Sequence, residues 1–138
     1  IKTDKVIYLS DYAHHPEEIK QSILSMRALY GDKKLTGIFQ PHLYTRTRDF
    51  YLEFAESLSL LDEVILTDIY PARELPIEGV SSQLIYDNLR PDIDKILCTK
   101  EEVIDILKKK EIEVLMTLGA GDIENYAPQI CEILNERC

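Results

Sequence analysis

Five short apolar runs alternate with amphipathic stretches along this chain, and that alternation leaves few folds open to it. Val6-Ile7-Tyr8-Leu9, Leu35-Thr36-Gly37-Ile38-Phe39, the mostly apolar run from Glu63 to Ile69, Ile93 to Cys98, and Val114-Leu115-Met116-Thr117-Leu118 read as strands. Between the first two, Ile19, Ile23, Met26 and Tyr30 recur at helical spacing, and Gly31 ends that helix. A second helix carries Tyr51, Phe54, Leu58 and Leu61 on one face. Ser81-Ser82 caps a third through Leu89, where Pro91 stops it, and Thr99 caps a charged helix from Lys100 to Lys110. Ile130, Ile133 and Leu134 mark a last helix, with Pro128 in its first turn. Strands and helices taking turns with short connections predict a Rossmann-like α/β domain: a mostly parallel sheet of five to six strands with helices on both faces. Right-handed crossovers then gather the strand carboxyl ends on one edge, where open α/β sheets bind their ligands.

At 138 residues the chain is one domain, 1–138, with room for a proper core. Its formal charge of −9 disfavours nucleic acid as a partner, since a phosphate-tracking surface needs clustered Lys and Arg. No apolar run reaches the roughly 18 residues of a membrane span, so no membrane partner and a cytoplasmic location are expected. Cys98, Cys131 and Cys138 are odd in number and lack CxxC spacing, which leaves buried or incidental thiols as the reading. The lysines at 108–110 read as a solvated helix end that offsets the dipole rather than as a phosphate site. The chain starts at Ile1 and meets its first strand almost at once, as expected of a piece of a longer polypeptide.

Polar chemistry concentrates on the predicted carboxyl edge. Asp11-Tyr12-Ala13-His14-His15-Pro16 follows the first strand and leads into a helix, with Pro16 suited to the first helical position. Asp11 there is either a turn residue or an acid placed to accept hydrogen bonds from ribose hydroxyls. His14 and His15 are cap and turn residues or ligand contacts; a zinc site built from them with His42 and Asp11 matches no standard spacing, so no metal site is assigned. The loop from Gln40 to Asp49 brings His42, Thr45, Arg46 and Arg48 to the start of the second helix. The arginines are surface charges, or else Arg46 grips a carboxylate bidentately beside helix N–H groups that favour anions. The loop 70–79 offers Arg73 as its one good ligand candidate, and Gly119-Ala120-Gly121 is too short for a dinucleotide fingerprint and suits a tight turn.

Taken together, Asp11-Tyr12-Ala13-His14-His15-Pro16, Gln40-Pro41-His42-Leu43-Tyr44-Thr45-Arg46-Thr47, Leu66 to Glu74, Gly79-Val80-Ser81-Ser82 and Thr117 to Ile123 resemble the C-terminal domain of the Mur ligases. Within that family of amino-acid-adding enzymes of peptidoglycan synthesis, the likeness is to the alanine-adding members. The resemblance implies an ATP- and Mg2+-dependent, amide-bond-forming enzyme of three domains, in which a UDP-sugar domain and a central P-loop domain precede this one and are its partners. Its implied substrates are UDP-N-acetylmuramate and L-alanine: the muramoyl carboxylate is phosphorylated, and the alanine amine attacks the acyl phosphate through a tetrahedral intermediate. By the same resemblance Asp11 meets the ATP ribose with Tyr12 and His15 alongside the nucleotide. His14 and Arg46 serve the reaction, and His42, Thr45, Arg46 and Arg73 line the amino-acid and acyl-phosphate side. The family usually has arginine where this chain has Leu43, so that contact is lost or supplied elsewhere.

Three other readings compete: a tripeptide-recycling murein peptide ligase, a non-catalytic nucleotide-binding module, and, least favoured for want of a glycine fingerprint after the first strand, half of a dehydrogenase. No GxxxxGK[ST] occurs in the 138 residues, so the phosphate cradle and most Mg2+ ligands are expected on other domains. The 138 residues alone are expected to fold and to give no ATP-dependent ligation of alanine; ADP release that depends on alanine, from this fragment alone, is the result that would contradict it.

Overall fold

The computed structural model describes residues 7–11, 13, 15–70, 73–110, 112–119 and 122–135. Strands β1 (Ile7–Asp11), β2 (Leu35–Phe39), β3 (Glu63–Leu66), β4 (Asp94–Leu97) and β5 (Val114–Leu118) form one sheet in the order β1-β5-β2-β3-β4. Every pairing in it is parallel. Helices α1 (Pro16–Tyr30), α2 (Tyr44–Leu58), α3 (Ser82–Asn88), α4 (Lys100–Lys109) and α5 (Ala127–Asn135) alternate with the strands, and a 3-10 turn, Asp122–Tyr126, leads into α5. The expected α/β fold is therefore present, with five strands among the described residues.

Strand order explains the two helical layers. The chain steps in one direction from β1 to β4 and then jumps back to insert β5 between β1 and β2. Right-handed crossovers made in opposite directions fall on opposite faces. Period-two alternation shows the result: Leu35, Phe39, Val64, Leu66, Val114, Met116 and Leu118 pack with α1, α2 and α3 residues such as Ile19, Phe54 and Ile85. Their neighbours Ile38, Ile65 and Leu115 point the other way, onto Val103, Leu107 and Ile130 of α4 and α5. The three inner strands are buried at every position, and only the edge strands β1 and β4 expose residues.

Several local expectations shift. Helix α2 starts at Tyr44, so Thr45, Arg46 and Arg48 stand on its first turns rather than in a loop. Leu61 lies beyond its end, though fully buried. Gly31 follows α1 with φ −61°, a right-handed backbone, so its left-handed freedom is not what ends the helix. Lys110 is more than a solvated helix end: its ammonium pairs with the buried Glu63 carboxylate, which Lys34 approaches at 3.5 Å and Thr36 Oγ1 bonds at 3.2 Å. Cys98 is buried, which pushes its thiol up to about 11, and Cys131 is half-buried. Cys138 lies outside the described residues.

All five strands end level. Asp11, Leu118, Phe39, Leu66 and Leu97 form one transverse row. At a strand spacing of about 4.8 Å, Asp11 and Phe39 stand roughly 10 Å apart across β5. Just past that row Gly119 adopts φ +137°, where a Cβ would come within 2.7 Å of the Gln40 carbonyl oxygen. Its N–H donates to Asp11 O at 3.3 Å, while Gln40 N–H donates to Leu118 O at 3.1 Å. Gly119→Ala is therefore expected to cost about 2 kcal/mol from backbone strain, before any shift of Gln40, read as a lower urea midpoint at unchanged slope.

Candidate active site

The carboxyl edge carries two clusters. The first surrounds Asp11, the last residue of β1, whose Oδ1 accepts the Ala13 N–H at 2.9 Å and whose Oδ2 accepts the Ser22 hydroxyl of α1. One oxygen thus serves the local turn and the other ties the strand end to α1, both plain structural roles for this acid. Each keeps a second lone pair, so the same carboxylate retains capacity for outside donors. His15 is the N-cap of α1: its Nδ1 accepts the Glu17 N–H at 3.4 Å, and the Glu18 carboxylate returns the bond to the His15 N–H at 3.2 Å. The ring also packs 5.3 Å from Phe50 of α2. His15 therefore works as a cap in this structure, turned toward the groove between α1 and α2 that it lines with Lys20 and Glu53. Tyr12 and His14 lie outside the described residues.

The second cluster sits above β2 and β3. Arg46 Nη1 donates to His42 Nδ1 at 3.1 Å. A guanidinium has only donors, so Nδ1 is the acceptor, and the imidazole is neutral with its proton on Nε2. Tyr70 stacks on the His42 ring at 5.7 Å with 14° between the planes. The backbones interlock as well, with Tyr70 N–H donating to Pro41 O and Leu43 N–H to Tyr70 O, both at 2.8 Å. Between His42 and Arg46 the chain turns through Leu43 at φ +71°, a conformation leucine rarely adopts. Arg48 is exposed and bonds its neighbour Asp49 at 2.9 Å, as expected for a surface charge. Arg73 is exposed on the loop after β3.

Glu74 is the residue that sequence reasoning passed over. Helix α2 has no side-chain cap of its own, because Leu43 occupies the cap position. The Glu74 carboxylate fills that role from the loop after β3, accepting the N–H groups of Tyr44 and Thr45 (3.2 Å to Thr45) and the Thr45 hydroxyl. The helix terminus read as a pocket for an outside anion thus holds the protein's own carboxylate, with Thr45 bonded to it. The available signal was negative: a helix start without Ser, Thr, Asp or Asn at its cap asks for an acceptor from elsewhere.

The predicted carboxyl edge suggests that the loops bearing His15 and His42 leave neighbouring strands, and the sheet order corrects this. The loops bearing the histidines do not leave neighbouring strands, because β5 lies between β1 and β2. Between them stand Gly119 and the start of the 3-10 turn, which buried Gln40 holds by accepting the Ile123 N–H at 2.8 Å. Among the described residues no group of three or more His, Cys, Asp or Glu side chains is disposed to hold a metal. No helix among them is long and apolar enough to cross a membrane.

Parallel strands that end level, with an acid and an imidazole–guanidinium pair on that edge, define a doubly wound α/β domain of the kind that meets ligands at its strand carboxyl ends. Residues 1–123 match the Mur ligase glutamate ligase domain, and the chain belongs to that family. It is 76% identical over 137 residues to UDP-N-acetylmuramate–L-alanine ligase of Phocaeicola vulgatus, covering 99% of this chain and 30% of the relative. The same-named protein of Parabacteroides distasonis is 57% identical over 134 residues, 97% of this chain and 29% of the relative. The chain thus spans about three tenths of the length of these curated relatives. Among solved structures, UDP-N-acetylmuramate-alanine ligase of Thermotoga maritima superposes with TM-score 0.75 at 25% identity, over 96% of this chain and 27% of that one. A murein peptide ligase of Psychrobacter arcticus superposes with TM-score 0.73 at 16% identity, over 97% and 29%, a likeness of fold alone.

Glu74 makes the second cluster acid-sensitive. The Thr45 hydroxyl bond, followed by the two backbone N–H bonds, holds its carboxyl below the ordinary value of 4.5. A depressed carboxyl contributes its stabilisation in full above that ordinary value and loses it as pH falls through the lower folded one. The protection factors of the Tyr44 and Thr45 amides, with the intrinsic pH dependence of exchange divided out, are therefore expected to hold down to about pH 5 and to fall in stronger acid, and Glu74→Gln is expected to remove that fall.

Proposed function

We propose that this chain is the C-terminal domain of an ATP- and Mg2+-dependent ligase that joins L-alanine to UDP-N-acetylmuramate. On this reading its partners are a UDP-sugar domain and a central P-loop domain of the same polypeptide, and the enzyme works in the cytoplasm. The observation that carries the proposal is the 76% identity, over nearly the whole chain, to a relative bearing that name. The recycling ligase is not favoured, because its likeness extends to the fold alone.

The described residues fit the nucleotide in one respect: Asp11 stands at the carboxyl edge with acceptor capacity left for ribose hydroxyls. Tyr12 and His15 would stand alongside, His15 continuing as the cap of α1. ATP supplies the phosphoryl group that activates the muramoyl carboxylate, and Mg2+ would be held mainly by the other domains. This domain's own part is to present the amino acid. Arg46 would bind the alanine carboxylate, with Thr45 and Arg73 adding local polarity. His42, neutral and protonated on Nε2, is suited to donate a hydrogen bond rather than to take the amine proton at Nδ1. His14 would join them on the reacting side.

Arg46→Ala in the full-length protein is expected to raise KM for alanine by about tenfold or more, the worth of one charge-assisted bidentate contact, and KM for ATP by much less. Steady-state kinetics with each substrate varied checks this, and equal effects on both would remove Arg46 as the carboxylate partner.

A further inference from the structure

We propose that Glu74 is a positioning residue for the His42–Arg46 pair. The proposal rests on the reading of Arg46 as the partner of the amino-acid carboxylate. Its ground is that one loop clamps both ends of one short segment. At the first end, Tyr70 bonds the backbone on either side of His42 and stacks on its ring. At the other, four residues further along, Glu74 binds the N–H groups of Tyr44 and Thr45, the two residues that directly precede Arg46. Between these clamps stands Leu43 at φ +71°, a backbone that relaxes when its neighbours let go.

A helix cap of ordinary purpose is local, one residue before the turn it serves. Here the carboxylate comes from 29–30 residues downstream, across the β2–β3 pair, and so adds a second tie, at the start of α2, between two loops that Tyr70 already joins at His42. The coupling also settles where an incoming anion goes. With its terminal N–H groups taken by Glu74, the positive end of α2 no longer competes with the Arg46 guanidinium for a carboxylate.

The test uses the full-length protein with Glu74→Ala and Glu74→Gln, the latter keeping an oxygen for the same N–H groups. Expected for Glu74→Ala is a rise of about tenfold in KM for L-alanine, the scale of a misplaced contact, with KM for ATP little changed. Glu74→Gln is expected to recover most of that loss. A fall in melting temperature with KM for alanine unaltered would overturn the proposal, leaving Glu74 a plain cap. A lower KM for alanine would overturn it too, since the carboxylate would then obstruct the ligand. If Glu74→Ala does not fold, Glu74→Asp, with the charge kept but the reach one methylene shorter, carries the same comparison. Independently of turnover, 15N NMR of labelled histidine reads the His42 tautomer. Wild type is expected to hold the Nε2–H form and Glu74→Ala to mix both forms; an unchanged tautomer would count against positioning. Should the wild type fail to use alanine, the proposed function falls, and the tautomer comparison alone decides the role of Glu74.

Discussion

The strand that comes last in the chain lies between the first two in space, tied to both through backbone ladders that end in the row Asp11, Leu118, Phe39. Much of the molecule depends on that insertion. It closes the sheet on both sides of β5, sends α4 and α5 to the face opposite α1 to α3, and forces the exit of β5 between the two loops that carry the imidazoles. Gly119 is the residue that makes this passage possible, because the Gln40 carbonyl leaves no space for a Cβ there. Gln40 in turn spends its side-chain carbonyl on the Ile123 N–H, so the same neighbourhood fixes the start of the last helical segment.

Two kinds of order meet on the carboxyl edge. On the β1 side the backbone hydrogen bonds are local, Asp11 with Ala13 and the reciprocal cap between His15 and Glu18, with Ser22 on Asp11 and Phe50 against His15 as the contacts from further along the chain. Local contacts of this kind need little from the rest of the fold. On the β2–β3 side the contacts are long-range, with Tyr70 and Glu74 reaching His42, Tyr44 and Thr45. A neutral imidazole beside a guanidinium, held by groups from another loop, is an environment that suits directed hydrogen bonding to an anionic ligand. The opposite edge is structural by comparison: Glu63, buried at the first position of β3, is neutralised by Lys34 and Lys110 at the end of the strand away from the carboxyl edge.

Much of this was legible in the residues. The cores of all five strands follow from short apolar runs, and α1, α3 and α4 begin at signals that the sequence advertises through Pro16, Ser81 and Thr99. The start of α2 was not legible, since Leu43 is no cap and its positive φ has no sequence signature in a leucine. Arg46 was singled out for its residue type, but its partner His42 is set by the turn at Leu43, and the tautomer of that histidine follows from the contact.

The sequence by itself determined the fold class, the positions of the strands and most helices, the family, and the edge on which polar chemistry gathers, because periodicity, caps and short motifs are properties of neighbouring residues. Only the tertiary structure decided that β5 separates β1 from β2, that Glu74 caps α2, and that Lys110 neutralises Glu63. Each of these joins residues far apart in the chain, and the geometry that selects such partners exists only once the sheet has been assembled.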